Sequence, residues 1–172
     1  MTTTNRSGAG RWKVRLGVVL VGLTIAAVGW LWREDGPNEG LPVVALSIAD
    51  QELRLEIAKT PEAIRRGLMF REHLPEDHGM LIIWPQDQAV GMWMRNTRMP
   101  LSVAFIDRDF EVRNIADMEP HSRQVHPSDG PVRYALEVNR GWFERHGVAP
   151  GDRLDGLSAL IRNLDGPDRY GL

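Results

Sequence analysis

Alternation at period two dominates the middle of this chain. Val44, Leu46 and Ile48 recur at every second residue. So do Leu53, Leu55 and Ile57, interleaved with Glu52, Arg54 and Glu56. Successive side chains of a strand point to opposite faces, so each run spells a strand with one buried face. Asp50 between the runs marks a tight hairpin. Four more strands are expected: Met80 to Trp84, stopped by Pro85; Ala89 to Met94; Leu101 to Asp107; and Phe110 to Ala116. Arg133 to Val138 places Tyr134, Leu136 and Val138 on one face and Ala135 and Glu137 on the other. Gly151 to Leu154 suits a last edge strand.

Two short helices fit between these runs. Thr60-Pro61-Glu62 combines a capping hydroxyl, a proline suited to the first helical position and a carboxylate at the positive end, with Gly67 as the stop. Asn139 is placed to cap a second helix through His146, with Gly147 as its stop. Strands that follow one another like hairpins, without long helices between them, argue for a mainly β fold. The expected form is a compact antiparallel β-sandwich or barrel with the two helices as plugs.

The first 32 residues serve a different purpose. Leu16 to Trp32 is an uncharged, mainly apolar run of 17 residues, about 25 Å long as a helix. Arg6, Arg11, Lys13 and Arg15 precede it, and Trp30 and Trp32 close it. That asymmetry orients a single span with the N-terminus cytoplasmic and the rest of the chain extracytoplasmic, which means periplasmic behind an inner membrane. An uncleaved signal anchor competes with a cleaved signal peptide cut near Ala27-Val28-Gly29. The bulky Trp30-Leu31-Trp32 after that site favours the anchor. The expected division is a basic arm (1–15), a transmembrane anchor (16–32), a linker (33–41), a β-domain (42–155) and a C-terminal tail (156–172).

Charge and composition remove several function classes. Residues 33–172 hold 17 Lys+Arg against 23 Asp+Glu, a formal charge of 17 − 23 = −6. A net-negative domain with scattered basic residues is ill suited to phosphate backbones, so no nucleic-acid partner is expected. With no cysteine there is no disulfide, thiolate nucleophile or Cys-ligated metal. No hydrolase motif, His-Glu-x-x-His helix or Gly-rich phosphate loop occurs.

Three segments carry a resemblance: GLMFREHLPEDHGMLIIWP, GMWMRNTRMPLSVAFID and YALEVNRGWFERHGVAPGDRL. Arg66-Gly67-Leu68-Met69 with Arg71, Trp93-Met94 with Asn96-Thr97, Pro100-Leu101, and Leu136-Glu137-Val138-Asn139 with Gly141 occur together and in order. Over Val43 to Leu154 the chain resembles the bacterial and archaeal family called domain of unknown function 192. The resemblance implies a compact, mainly β fold, often behind an export signal or anchor. It implies no activity and no catalytic residue set.

The candidate site is polar and interrupts buried runs. Arg66, Arg95, Asn96, Thr97, Glu137 and Asn139 form the set, with Arg66 or Arg95 expected to pair with Glu137 and Asn96 to fix a turn. Such a buried pair is costly unless fully hydrogen-bonded. It is therefore a structural latch or part of a site for a small molecule, a peptide or an envelope protein. Met92, Met94 and Met99 offer thioethers for Cu(I), although Met92 and Met94 at strand spacing suit a core better. His73 with His78, and His121 with His126, read as solvated loop histidines, so no cofactor is expected. The leading reading is a membrane-anchored, extracytoplasmic binding module. The alternatives are an envelope-acting enzyme using carboxylates among Asp77, Asp107, Asp117 and Glu137, and a structural partner in a membrane complex.

Overall fold

A computed structural model describes residues 36–164. The basic arm, the apolar run at 16–32 and the end of the tail lie outside the described residues. Among the described residues no helix is long and apolar enough to cross a membrane.

Six strands form one sheet in the order β1-β2-β3-β8-β5-β6. They are β1 (Val43–Ile48), β2 (Gln51–Ala58), β3 (His78–Gln88), β5 (Leu101–Ile106), β6 (Val112–Met118) and β8 (Val132–Asn139). Two short strands, β4 (Gly91–Met92) and β7 (His126–Pro127), pair as a separate ribbon. The β1–β2 hairpin turns on Ala49 and Asp50, both at positive φ (50° and 59°), as a two-residue loop matched to strand twist requires.

The expectation of an antiparallel sandwich or barrel is corrected on two counts. First, β2 and β3 run parallel. The crossover between them, residues 59–77, is long enough for a parallel connection and carries α1 (Pro61–Arg66). Second, β1 and β6 are the two edges of the sheet, which does not close on itself. Apolar cores lie on both of its faces. One face collects Leu46, Leu55, Leu81, Leu136 and Val138 under α2 (Trp142–Arg145) and α3 (Asp155–Leu164). The other collects Ala63, Leu68, Met80, Ile82, Trp84, Val103 and Phe105. Burial on both faces explains why all six residues of β5 are buried.

The strand faces read from the sequence are those observed. Val44, Leu46 and Ile48 are buried between exposed neighbours, and Leu53, Leu55 and Ile57 face the same core. Thr60 caps α1 by accepting a hydrogen bond from the Ala63 N–H at 3.2 Å, and Gly67 ends it.

Other elements differ. Strand β3 continues through Pro85 to Gln88, because the ladder is irregular between Ile83 and Gln88 and the missing proline N–H costs no regular bond there. Only Gly91–Met92 of the expected Ala89–Met94 strand is paired. Three helices are described: the two expected between strands, and one in the tail, where the sequence suggests a single helical turn around Leu157 to Leu164. The third, α3, buries Leu157, and a Cβ at Gly156 would meet the Ser47 carbonyl oxygen at 2.6 Å, so the helix start lies directly on edge strand β1.

Candidate functional site

Glu137 stands on β8, in the middle of the sheet. Its cross-strand neighbours are Met80 on β3 and Val103 on β5, both fully buried. Period two puts its side chain on the face of Ala135, away from Leu136 and Val138. A carboxyl group is thus held among apolar side chains with 3% of the residue exposed.

The chain leaving α1 passes over this carboxyl. The Asn38 side-chain amide donates to the carbonyl oxygens of Ala63 (3.0 Å) and Gly67 (2.9 Å), which ties down the exit of the helix. Gly67 then adopts φ 49°, ψ −134°, a conformation that L side chains rarely adopt. A Cβ built there would lie 3.7 Å from Glu137 Oε2. The backbone therefore approaches the carboxyl without donating to it, and Oε2 is buried with no hydrogen-bond partner. None of the described ion pairs includes Glu137. Burial alone pushes its pKa from 4.5 up to about 7.

A cleft of about 420 Å³ opens above Glu137. Residues 64–69 from the end of α1 form one wall, and Trp84, Gln88 and residues 90–93 around β4 form the other, with Thr97 also on the lining. Arg65 and Arg66 belong to the first wall. Of the three large apolar side chains exposed among the described residues, Trp93 and Val125 flank the cleft. Trp93 lines it, and the Val125 side chain lies close over Gly91.

The candidate residues divide accordingly. Glu137, Arg66 and Thr97 share the cleft; Arg95, Asn96 and Asn139 are not on its lining. Arg95 is exposed, with its guanidinium 5.9 Å from the Trp93 ring centroid. Asn96 takes a left-handed conformation (φ 58°), and its carbonyl accepts from the Phe70 N–H at 2.8 Å. It does fix a turn, but outside the cleft. Asn139 is not a helix cap: Gly141 holds that position, while the Asn139 amide donates to the Leu74 and Pro75 carbonyls at 3.0 Å each.

The thioethers distribute as a core. Met94 and Met99 are buried on the Glu137 face with Met80 and Met118, and Met92 packs against them. Unbranched side chains fill such irregular space well. None of Asp77, Asp107 and Asp117 lines the cleft, so among the described residues it holds one carboxylate. Among the described residues no three His, Cys, Asp or Glu side chains gather as a metal site.

Two other polar clusters are bonded within the fold. Arg71 binds Glu56 through both terminal nitrogens (2.5 and 2.6 Å) and also reaches the Asn38 carbonyl, although its buried Nε has no partner. The Ser102 hydroxyl donates to Asp117 at 2.5 Å and accepts from the Gly141 N–H at 2.8 Å. Sequence reasoning read Gly67 only as a helix stop, and missed Gln88 and Asn38. The Gly-Leu-Met segment was the available signal for Gly67; nothing local marked the other two.

Comparison with known proteins follows the same boundaries. The DUF192 family model, described as an uncharacterized ACR, matches residues 44–156. A crystal structure from Sinorhizobium meliloti, named as a candidate transcription regulator, is 37% identical, with a TM-score of 0.62 over 70% of this chain and 98% of that one. A protein of unknown function from Novosphingobium aromaticivorans is 34% identical, with a TM-score of 0.63 over 68% of this chain and 87% of that one. No curated protein matches.

Proposed function

The chain belongs to the DUF192 family, and from that premise we propose that it is a ligand-binding module whose site is the cleft over Glu137. One observation carries this reading. A carboxyl oxygen buried without a partner costs free energy, and here it lies beneath a cleft large enough for a small molecule. A structural latch would bring a cation to that carboxyl, and no described ion pair does so. Burial is also the only cause acting on its pKa. Paired-carboxylate hydrolysis has less support, because it needs a second carboxyl group in the same cleft.

The test is a fragment screen on the full-length protein in detergent, read by crystallography or NMR. Hits should concentrate on residues 64–69, Trp84 and Trp93, and weaken in Glu137→Gln. Hits that fall only elsewhere would remove this reading.

The regulator label of the Sinorhizobium relative is not carried over to this chain. The net charge of −6 across residues 33–172 (17 − 23) works against DNA binding.

The module is proposed to be held at the inner membrane by residues 16–32, with the β-domain periplasmic and facing a small molecule, a peptide or an envelope protein. The support is the basic arm, the apolar run and its closing tryptophans. Alkaline phosphatase fused after Leu172 should be active and stay with carbonate-washed membranes. An inactive fusion would place the domain in the cytoplasm and contradict the orientation.

A further inference from the structure

Resting on the reading of the cleft as a ligand site, we propose that its ligand class is a small primary amine with an apolar body. The ammonium would donate to the Glu137 carboxylate at the buried end, and the body would lie against Trp84, Met69, Met92 and Trp93.

The chemistry of the cleft narrows the choice. Its buried end offers an acceptor, Glu137 Oε2, shielded from solvent and without a donor. The strands beside it bring no counter-charge: Met80 and Val103 are its neighbours across the ladder, and both are apolar and fully buried. Arg65 and Arg66 are the other charged residues on the lining. Arg65 is exposed to solvent, and Arg66 has an interaction partner of its own. Neither acts on the pKa of Glu137, for which burial is the only cause. The cation that this acceptor lacks therefore has to come from a ligand. Hydrogen bonds between ionised groups are about twice as strong as neutral ones, so an ammonium satisfies the carboxylate better than a hydroxyl or an amide does. A primary ammonium also brings more than one N–H, and Thr97 and Gln88 on the same lining carry further oxygen acceptors. A purely anionic ligand would lie against Glu137. A hard metal cation needs several oxygen ligands, and among the described residues one carboxylate lines the cleft. A single water occupies about 30 Å³ of liquid; the cleft is about 420 Å³, which leaves room for an organic body. The remaining lining, with Trp84, Met69 and Met92 beside Trp93, is apolar or aromatic and adaptable, and suits an aliphatic or aromatic one.

The experiment compares phenethylamine with phenethyl alcohol, in which a hydroxyl replaces the amine, with hydrocinnamate, an anion of similar size, and with the trimethylated amine, which keeps the charge and loses every N–H. Binding to the full-length protein in detergent is followed by calorimetry and tryptophan fluorescence, with isoamylamine and tryptamine as amines of different body. At pH 8 phenethylamine should bind at least about tenfold more tightly than each of the three analogues. Its affinity should rise at least about tenfold from pH 5 to pH 8, as the Glu137 carboxyl ionises. Glu137→Gln should weaken phenethylamine about tenfold at pH 8, abolish that rise and leave phenethyl alcohol unchanged. If an analogue binds as tightly as the amine, or no amine binds while screened fragments still occupy the cleft, the ligand class is wrong and the cleft remains a site. If neither amines nor fragments occupy it, both readings fall.

Discussion

Glu137→Gln should make the protein more stable above pH 7, by about 3 kcal/mol, and leave it unchanged near pH 4. The carboxyl is buried between Met80 and Val103, and burial raises its pKa from 4.5 to about 7. In the unfolded chain it ionises at the ordinary value. Below pH 4.5 both states hold the proton and stability is at its full value. Between 4.5 and about 7 the unfolded chain releases the proton while the folded protein keeps it, so stability falls as pH rises. Above pH 7 both states are ionised, and the loss stays constant at about 1.4 kcal/mol for each unit of the difference. Glutamine has nearly the same shape and no charge to desolvate, so the variant escapes the loss. Urea unfolding of both proteins at pH 4, 6 and 8 measures the effect. An ion-pair latch gives the opposite sign, because breaking a buried pair costs about 3–5 kcal/mol at neutral pH.

Gly79→Ala should destabilise the protein by about 3 kcal/mol, the upper end of the usual cost of overpacking. Gly79 sits on β3, opposite Leu55 on one side and Val138 on the other. A Cβ there would lie 2.7 Å from the Glu137 carbonyl oxygen, 2.9 Å from Leu55 Cδ2 and 3.1 Å from Val138 Cγ1. The first of these is backbone of the central strand and cannot swing aside as a side chain can. Relief requires β3 and β8 to separate at the level of Glu137, so ligand binding should weaken with stability. A lower urea midpoint at unchanged denaturant dependence is the expected signature. A midpoint equal to wild type would show that the two strands are not packed this closely.

These two residues also show what the sequence does and does not display. Glu137 was legible as a polar residue sharing a face with Ala135, because alternation fixes strand faces without knowledge of neighbours. Its burial under Gly67 was not, since that contact joins positions far apart in the chain and leaves no local pattern. Gly79 falls just before the expected start of the strand at Met80, because the polar residues Glu76, Asp77 and His78 hide a strand that begins at His78. The parallel pairing of β2 and β3 was hidden for a related reason. Its crossover helix has only six residues, so the strands appear to follow one another like hairpins. Asn139 carries the same local signal as a helix cap, but its amide finds the Leu74 and Pro75 carbonyls instead, a choice made by tertiary structure. The strand spacing of Met92 and Met94 is not what places them, since only Gly91–Met92 is paired; Met94 and Met99 lie in the Glu137-side core, and Met92 packs against it from the cleft.

The central claim is that Glu137 is a buried carboxyl waiting for a donor, and the most direct measurement is its own titration. The carboxyl carbon of Glu137, assigned by comparison with Glu137→Gln, should titrate near pH 7 in the unliganded protein. Its midpoint should move down when a cationic group occupies the cleft. A midpoint at or below the ordinary value of 4.5 without ligand would show that the carboxylate already has a cationic partner inside the protein, and would contradict the claim.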